Sequence, residues 1–349
     1  MQTINLDWLQ YSGVLKTQFN QKTTITKGGF FVEKQETGTV AYKNRFYIYS
    51  SDGEAVATLL TDCNMPTLDR NMANLQIANN LLYTNILKEI IEDICLNIHF
   101  EPKNITRIDI ALDGANRVPE LLNKYKKQKG GHEKIILMGR HKMSEYEWNR
   151  DTLESERFTI GSSKGDKYIS VYCKSNELKE SKKNYITEYW KQNGMDTTAK
   201  QYRVEARIMS KYINTIKDFY LDDIHDQQFL KDLFYTATRK ALDFRENKFI
   251  DKTKCPRIEA IDWNTISTNK LDREYLKPTS DIFKIKLFTH LVHKHSNMGL
   301  QSKEDIEILE KAKNILVPYA QLEDWEKHKA VDWAMQYVDI KELFSKQHI

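Results

Sequence analysis

The chain has 349 residues, 40% of them hydrophobic and 29% charged, and its 53 basic against 49 acidic side chains leave a net charge of only +4. That length predicts one large or two modest domains with real cores, and so small a net charge means any anionic partner must be met by local patches. Cys63, Cys95, Cys173 and Cys255 are scattered without a CxxC pair, which argues against a structural zinc site and a disulfide framework and suits a reducing compartment.

The opening, MQTINLDWLQYSG, has no basic segment followed by an apolar run, and no stretch of the chain is long and apolar enough to span a bilayer. A cytoplasmic protein with no membrane partner is therefore expected. Residues 3–60 read as β-rich, with short β-prone runs such as GGFFVEK, RFYIYS and AVATLL separated by Gly, Asn and Ser-Asp-Gly turns. Over 71–96 the period changes, and Leu75, Ala78, Leu82, Ile86, Ile90 and Ile94 recur at helical spacing. A strand at 105–113, an amphipathic helix at 119–127 and a strand at 133–139 follow. Residues 156–174 read as a hairpin around a Gly-Ser-Ser-Lys-Gly turn, then come a lysine-rich helix over roughly 177–192 and a strand at 201–209. This order predicts an α+β fold, a mostly antiparallel sheet with helices on one face. Beyond about 212 the runs 222–246, 281–297, 302–316 and 321–345 read as helices, with Ser302 and Asp305 as a capping pair, and 248–269 as a polar linker or a segment laid on the core. The predicted division is a domain over 1–215 and a mainly helical C-terminal region over 216–349, suited to DNA binding or oligomerisation.

Three strands have chemically unusual polar faces. Side chains alternate across a strand, so in ITRIDIALD (105–113) Arg107, Asp109 and Asp113 share one face and Ile108, Ile110 and Leu112 the other. By the same count Tyr168, Tyr172 and Lys174 share a face of DKYISVYCK (166–174), and Arg203, Glu205 and Arg207 a face of QYRVEARIM (201–209). If the three lie near one another in one sheet, carboxylates, tyrosine and cations meet on one surface. Acidic side chains are depleted from strand interiors unless exposed or employed, which draws attention to Glu205. Asp109 and Glu205 on adjacent strands, roughly 5 Å apart, would make an oxygen-rich site for Mg²⁺ or Mn²⁺. Asp113 lies about 13 Å from Asp109 along the strand and is the secondary ligand candidate.

Tyr172 is a candidate nucleophile because Lys174 shares its face, and a nearby ammonium favours the phenolate. Tyr168 is its local rival, and a packing role is the ordinary reading of either ring. A tyrosine nucleophile would yield a covalent phosphotyrosine that conserves the bond energy for rejoining. The lysines at 124, 126, 127, 129, 179, 182 and 183 serve either as phosphate contacts or as solvated helix faces. Residues 161–163 form either an anion-binding nest or a plain hairpin turn. His132 and His141 lie in polar loops, where they either approach a metal or are simply solvated.

Thr106-Arg107-Ile108-Asp109-Ile110-Ala111-Leu112-Asp113, the Thr159–Ser163 and Asp166–Tyr168 segments, Val171-Tyr172-Cys173-Lys174-Ser175-Asn176-Glu177 and Tyr202-Arg203-Val204-Glu205 resemble, in order and spacing, successive motifs of rolling-circle replication initiators of the Rep_trans type. The opening LDWLQYSG is similar to that family's first strand, so the resemblance covers roughly residues 5–215. It implies a nicking and closing domain in which Tyr172 attacks one strand of a single-stranded or hairpin origin, leaving a 5′-phosphotyrosine and a 3′-hydroxyl. It further implies a divalent metal (Mg²⁺ or Mn²⁺) on Asp109 and Glu205, with Glu177 as a further ligand beside the Asp113 that strand geometry offers second. Lys174 would then assist catalysis, and Arg203, Arg207, Lys167, Ser162 and Ser163 would bind DNA. A helicase and a second copy of the chain are the further partners it suggests. One departure is Asn176, where the family often has an aromatic residue. Three alternatives stay open: a relaxase of a mobile element using the same chemistry, a non-catalytic origin-binding protein on the same scaffold, and a metal nuclease with a water nucleophile.

Overall fold

In the computed structural model of the protein the three polar-faced strands are neighbours. The structure describes residues 1–19, 22–64, 71–127, 134–139, 143–148 and 155–274. Within these, eleven strands form one sheet: β1 (Thr3–Leu15), β2 (Thr23–Ile25), β3 (Phe31–Lys34), β4 (Tyr42–Tyr49), β5 (Ala55–Cys63), β6 (Met72–Ile77), β7 (Phe100–Asp113), and, past the separate strand β8 (Ile135–Leu137), β9 (Met143–Trp148), β10 (Ser155–Gly161), β11 (Lys167–Cys173) and β12 (Tyr202–Met209). Their spatial order is β2-β3-β4-β5-β6-β1-β7-β12-β11-β10-β9, and the neighbours are antiparallel. A small second sheet joins β8 to β13 (Phe244–Glu246) and β14 (Arg257–Ile258). The fold is α+β.

The alternation read from the sequence assigns the faces. Ile108, Ile110 and Leu112 of β7, Val204, Ala206 and Ile208 of β12, and Ile169 and Val171 of β11 are all buried in one core. Helix α1 (Leu87–Ile98) adds Ile91, Ile94 and Ile98 at helical spacing, and it ends where His99 turns into the left-handed region at φ 55°. Each such aliphatic side chain, moved fully from water, stabilises the fold by roughly 1.5–3 kcal/mol. The amphipathic helix α2 (Arg117–Lys127) appears where its pattern predicted, burying Leu121 and Leu122.

The polar face has a partial cover of its own. Helices α3 (Lys174–Ser181) and α4 (Asn184–Gln192) take the place of the single helix expected over 177–192, the break coming at Lys182 with φ 53°. Ile186, Trp190 and Met195 make a second, small apolar cluster with Tyr83, Tyr185 and Tyr189. Thr3, at the Asp113 end of the sheet, donates its hydroxyl to the sulfur of Met195 (3.1 Å), so this cluster caps one end of the polar face.

Two expectations change. Residues 72–77 form the strand β6 rather than the start of a helix, because Ala73, Leu75 and Ile77 also satisfy a two-residue period and pairing with both β1 and β5 uses it. The position expected to divide the domains, 215/216, falls inside a unit running Met1–Glu274. Ile216, Ile224, Leu230, Leu233 and Phe234 join the same core, the last three from α5 (Gln227–Thr238). The polar stretch 248–269 lies on that core too, burying Ile261, Trp263 and Ile266, the last two from the one-turn helix α6 (Trp263–Ile266). The helical runs expected at 281–297, 302–316 and 321–345, with Ser302 and Asp305, and the loop histidines His132 and His141, lie outside the described residues. Among the described residues no helix is long and apolar enough to cross a membrane.

Candidate active site on the polar face

Strand register decides which polar side chains meet. Tyr172 pairs with Arg203, Arg203 with Asp113, and Asp113 with Thr3, making one cross-strand row. Tyr168, Arg207, Asp109 and Trp8 make a second, parallel row, and Glu205 lies between the two, opposite Ser170 and Ala111. Asp109 and Glu205 are therefore diagonal neighbours, not the direct pair expected, since Arg207 occupies the position facing Asp109.

Arg203 is fully buried and holds the first row together. Its Nε and Nη2 donate to Oδ1 and Oδ2 of Asp113 at 2.6 and 2.8 Å, Nη1 donates to Oδ1 of Asp7 at 2.8 Å, and Nη2 also donates to the Tyr83 hydroxyl at 3.1 Å. Asp113 accepts a further hydrogen bond from Trp190 Nε1 at 2.8 Å. Expected as a secondary metal ligand and a DNA contact, Asp113 and Arg203 are instead each other's partners under the α4 cap, with both carboxylate oxygens occupied.

Asp7 escaped the sequence reading. It sits in a β-bulge: Leu6 pairs with Ile110 and Trp8 with Asp109, so Asp7 is the extra residue and its carboxylate reaches the polar face. It accepts from the Tyr83 hydroxyl at 2.7 Å as well as from Arg203. Burial opposes its ionisation, but Arg203, Lys174 and these hydrogen bonds outweigh that and hold the carboxyl well below the usual carboxylate range. A signal was present in the sequence. The buried residues of the strand run Ile4, Leu6, Leu9, Tyr11, and the phase slip between Leu6 and Leu9 marks the inserted residue.

Tyr172 and Glu205 are joined directly. The Tyr172 hydroxyl donates to Glu205 Oε2 at 2.8 Å, and both side chains are half-buried. Burial, then the Glu205 charge, push the phenol well above its ordinary value, against the pull of Arg203. Burial, then the charges of Asp7 and Asp109, raise the Glu205 carboxyl. Arg203 is the leading cation that opposes the upward shift, and Lys174, the cation expected to favour the phenolate, also lies nearby. Lys174 opens α3, donates to Glu177 Oε2 at 2.5 Å and lies 5.6 Å from the Tyr172 ring centre. Burial and the Arg203 charge lower its own ammonium.

The other expected site residues divide. Asp109 is gripped by Arg107, whose Nε donates to Oδ1 at 2.9 Å and whose Nη2 donates to Oδ2, while Arg207 Nε lies 3.7 Å from Oδ2. Glu177 is taken by Lys174, with Lys183 Nζ at 3.8 Å. Lys167 leaves the site altogether. It faces the core side of β11 and donates to the Ala237 carbonyl at 2.6 Å, and burial followed by the Arg273 charge lower its ammonium to about 8. Ser162 and Ser163 lie in the turn after β10, which Gly161 enters at φ 101°. Within that turn the Gly165 N–H donates to the Ser162 carbonyl and the Lys164 N–H to Ser162 Oγ. Tyr168 faces Arg207, four residues and about 13 Å along the strand from Tyr172.

The donor set bears on the metal that the resemblance implies. Among the described residues no three His, Cys, Asp or Glu side chains are grouped to hold an ion. Asp109, Asp113, Glu177 and Asp7 are all engaged by cations, Asp7 by Arg203 at 2.8 Å. Glu205 forms no ion pair among the described residues, and Asp7 presses on it more strongly than any other charge. Glu205 is therefore the candidate carboxylate left with hard oxygens to offer a divalent cation.

No protein-family model matches the chain, and none of the curated proteins does. Among solved structures it is similar to a rolling-circle replication initiator protein from Geobacillus stearothermophilus, with a TM-score of 0.46 and 14% identity over 79% of this chain and 100% of that one.

Proposed function

We propose that the protein is a replication initiator that nicks and rejoins one DNA strand through Tyr172. The observation that carries this reading is the hydrogen bond from the Tyr172 hydroxyl to Glu205, a nucleophile already paired with an acceptor whose raised carboxyl makes it a better base. Glu205 takes the phenolic proton, the bond from the Tyr172 oxygen to phosphorus forms, and the bond from phosphorus to the 3′ oxygen breaks. That oxygen departs as a 3′-hydroxyl, taking its proton from solvent water, and leaves a 5′-phosphotyrosine. Reversal rejoins the strand. Arg203 is too deeply paired to touch substrate, but its fixed charge opposes the cost of a phenolate beside it, and Lys174 adds a second positive charge near the ring. A divalent ion held at Glu205 would supply polarisation of a phosphoryl oxygen.

The substrate is a single-stranded or hairpin-extruded origin, and the described residues carry no feature that favours a relaxase role over replication. The test is incubation of the protein with labelled single-stranded origin DNA and Mn²⁺, followed by denaturing electrophoresis. A covalent adduct in the wild type that is lost in Tyr172→Phe is expected. Cleavage that survives in the variant without an adduct would move the chemistry to water, and binding without any cleavage would leave only an origin-binding role.

A further inference from the structure

We infer that the second cross-strand row is a base-stacking platform for single-stranded DNA beside the scissile position. The inference rests on the reading of the polar face as a nicking site. Tyr168, Arg207, Asp109 and Trp8 come from four consecutive strands in direct register, β11, β12, β7 and β1. Arg107, the next polar-face residue of β7, turns back over the indole, its guanidinium carbon 4.1 Å from the ring centre, and Arg207 lies 5.6 Å from the Tyr168 ring.

The two rows differ in a way that separates a structural role from a binding one. Arg203, under the α4 cap, has a side chain 0% exposed, whereas Arg107 is 20% and Arg207 32% exposed. Each member of the open row has a distinct role. Arg107 is fixed by two hydrogen bonds to Asp109 and by the indole beneath it, so it is a rigid planar cation next to an aromatic ring. The indole N–H is already satisfied by Gln10 Oε1 at 3.2 Å, so Trp8 contributes its ring, on one face of which Arg107 already stacks. Arg207 is held less firmly: its Nε is buried without a hydrogen-bond partner among the described residues, its nearest carboxylate oxygen is 3.7 Å away, and the exposed remainder of the side chain is the part open to a phosphate.

Aromatic rings and arginine planes interleaved along one surface are what unpaired bases stack on, and a loosely held guanidinium among them suits a phosphate. A duplex hides its base faces, so this row selects single strands. The platform lies about 13 Å from Tyr172 along β11, beside the scissile phosphate rather than on it.

Fluorescence anisotropy with a labelled oligodeoxythymidine 12-mer, on the full chain carrying Tyr172→Phe so that no cutting intervenes, tests this. Trp8→Ala and Tyr168→Ala are each expected to weaken binding roughly 10-fold or more with the salt dependence unchanged, while Tyr168→Phe, which keeps the ring, binds as the parent. Arg207→Gln is expected to reduce the slope of log affinity against log salt by about 0.7, the single-strand value for one lost phosphate contact. Circular dichroism and melting temperature identify any variant that fails to fold, and Trp8→Phe then replaces Trp8→Ala and is expected to bind within a few-fold of the parent. Unchanged affinity in folded Trp8→Ala and Tyr168→Ala, or a parent that prefers duplex of the same length, would overturn the inference. Ring-dependent binding in a protein whose wild type forms no covalent adduct would instead sink the proposed chemistry and leave the platform standing.

Discussion

Tyr172 donates its hydroxyl proton to Glu205 across two adjacent antiparallel strands at 2.8 Å, although the residue directly opposite Tyr172 is Arg203. The contact is diagonal. It exists because Arg203 is drawn away to Asp113 and Asp7, which leaves the phenol and the glutamate to satisfy each other.

Substituting Glu205 by Gln keeps an acceptor for the phenol but removes the base. Adduct formation is expected to slow by about 10²- to 10⁴-fold, the usual contribution of a positioned general base. Because Glu205 acts deprotonated and its carboxyl is raised, the wild-type rate should fall in acid with a midpoint above the 4.5 of an ordinary glutamate. Rate–pH profiles of the two proteins check this, and an acid limb that persists unchanged in the variant would assign it to another group.

The same substitution should stabilise the fold. Glu205 titrates higher when folded than when unfolded, so its favourable contribution is present in acid and lost as pH rises through the folded value. At neutral pH the buried charge is a net cost that Gln removes. Denaturant titrations at pH 4 and pH 8 should show the stabilisation of Glu205→Gln growing with pH.

Arg203 carries the opposite burden. Arg203→Leu leaves Asp113 and Asp7 as uncompensated buried carboxylates, and about 3–5 kcal/mol of stability should be lost. Asp7, depressed in the folded state, contributes stability that is present above the ordinary carboxylate value and lost as pH falls. Asp7→Asn should therefore flatten the acid side of the stability curve, as read from midpoints of unfolding between pH 3 and pH 7.

Removal of metal has a site-resolved outcome. If Glu205 holds a divalent ion, calorimetric titration with Mn²⁺ should show a binding event that is abolished in Glu205→Gln and retained in Asp113→Asn, whose parent oxygens are already occupied. Chelation should stop cutting in the wild type. Binding lost only with Asp113 would return the ion to the motif carboxylates.

Lys167 belongs to the core side of β11 despite its place in the motif. Lys167→Met is expected to leave cutting and single-strand binding within a few-fold of wild type. Its ammonium titrates near 8 when folded, below an ordinary lysine, so wild-type stability should rise between about pH 8 and pH 10 while the variant lacks that rise.

Alternation within 105–113, 166–174 and 201–209 was sufficient to assign Asp109, Tyr172 and Glu205 to one face and the aliphatic residues to the other, because side-chain direction in a strand depends only on residue parity. Parity cannot say which residues meet across strands. That came from register, which put Arg207 rather than Glu205 opposite Asp109, and from a bulge in β1, which brought Asp7 into the cluster. Lys167, one residue from Tyr168, shows the same division: parity alone sends it to the core, whatever motif it belongs to. The sequence by itself therefore determined the faces and the chemical repertoire of this protein. Only the tertiary structure decided which carboxylates are spent on arginines and which one is left to receive the Tyr172 proton, since ion pairing depends on distances that strand pairing and the α4 cap impose.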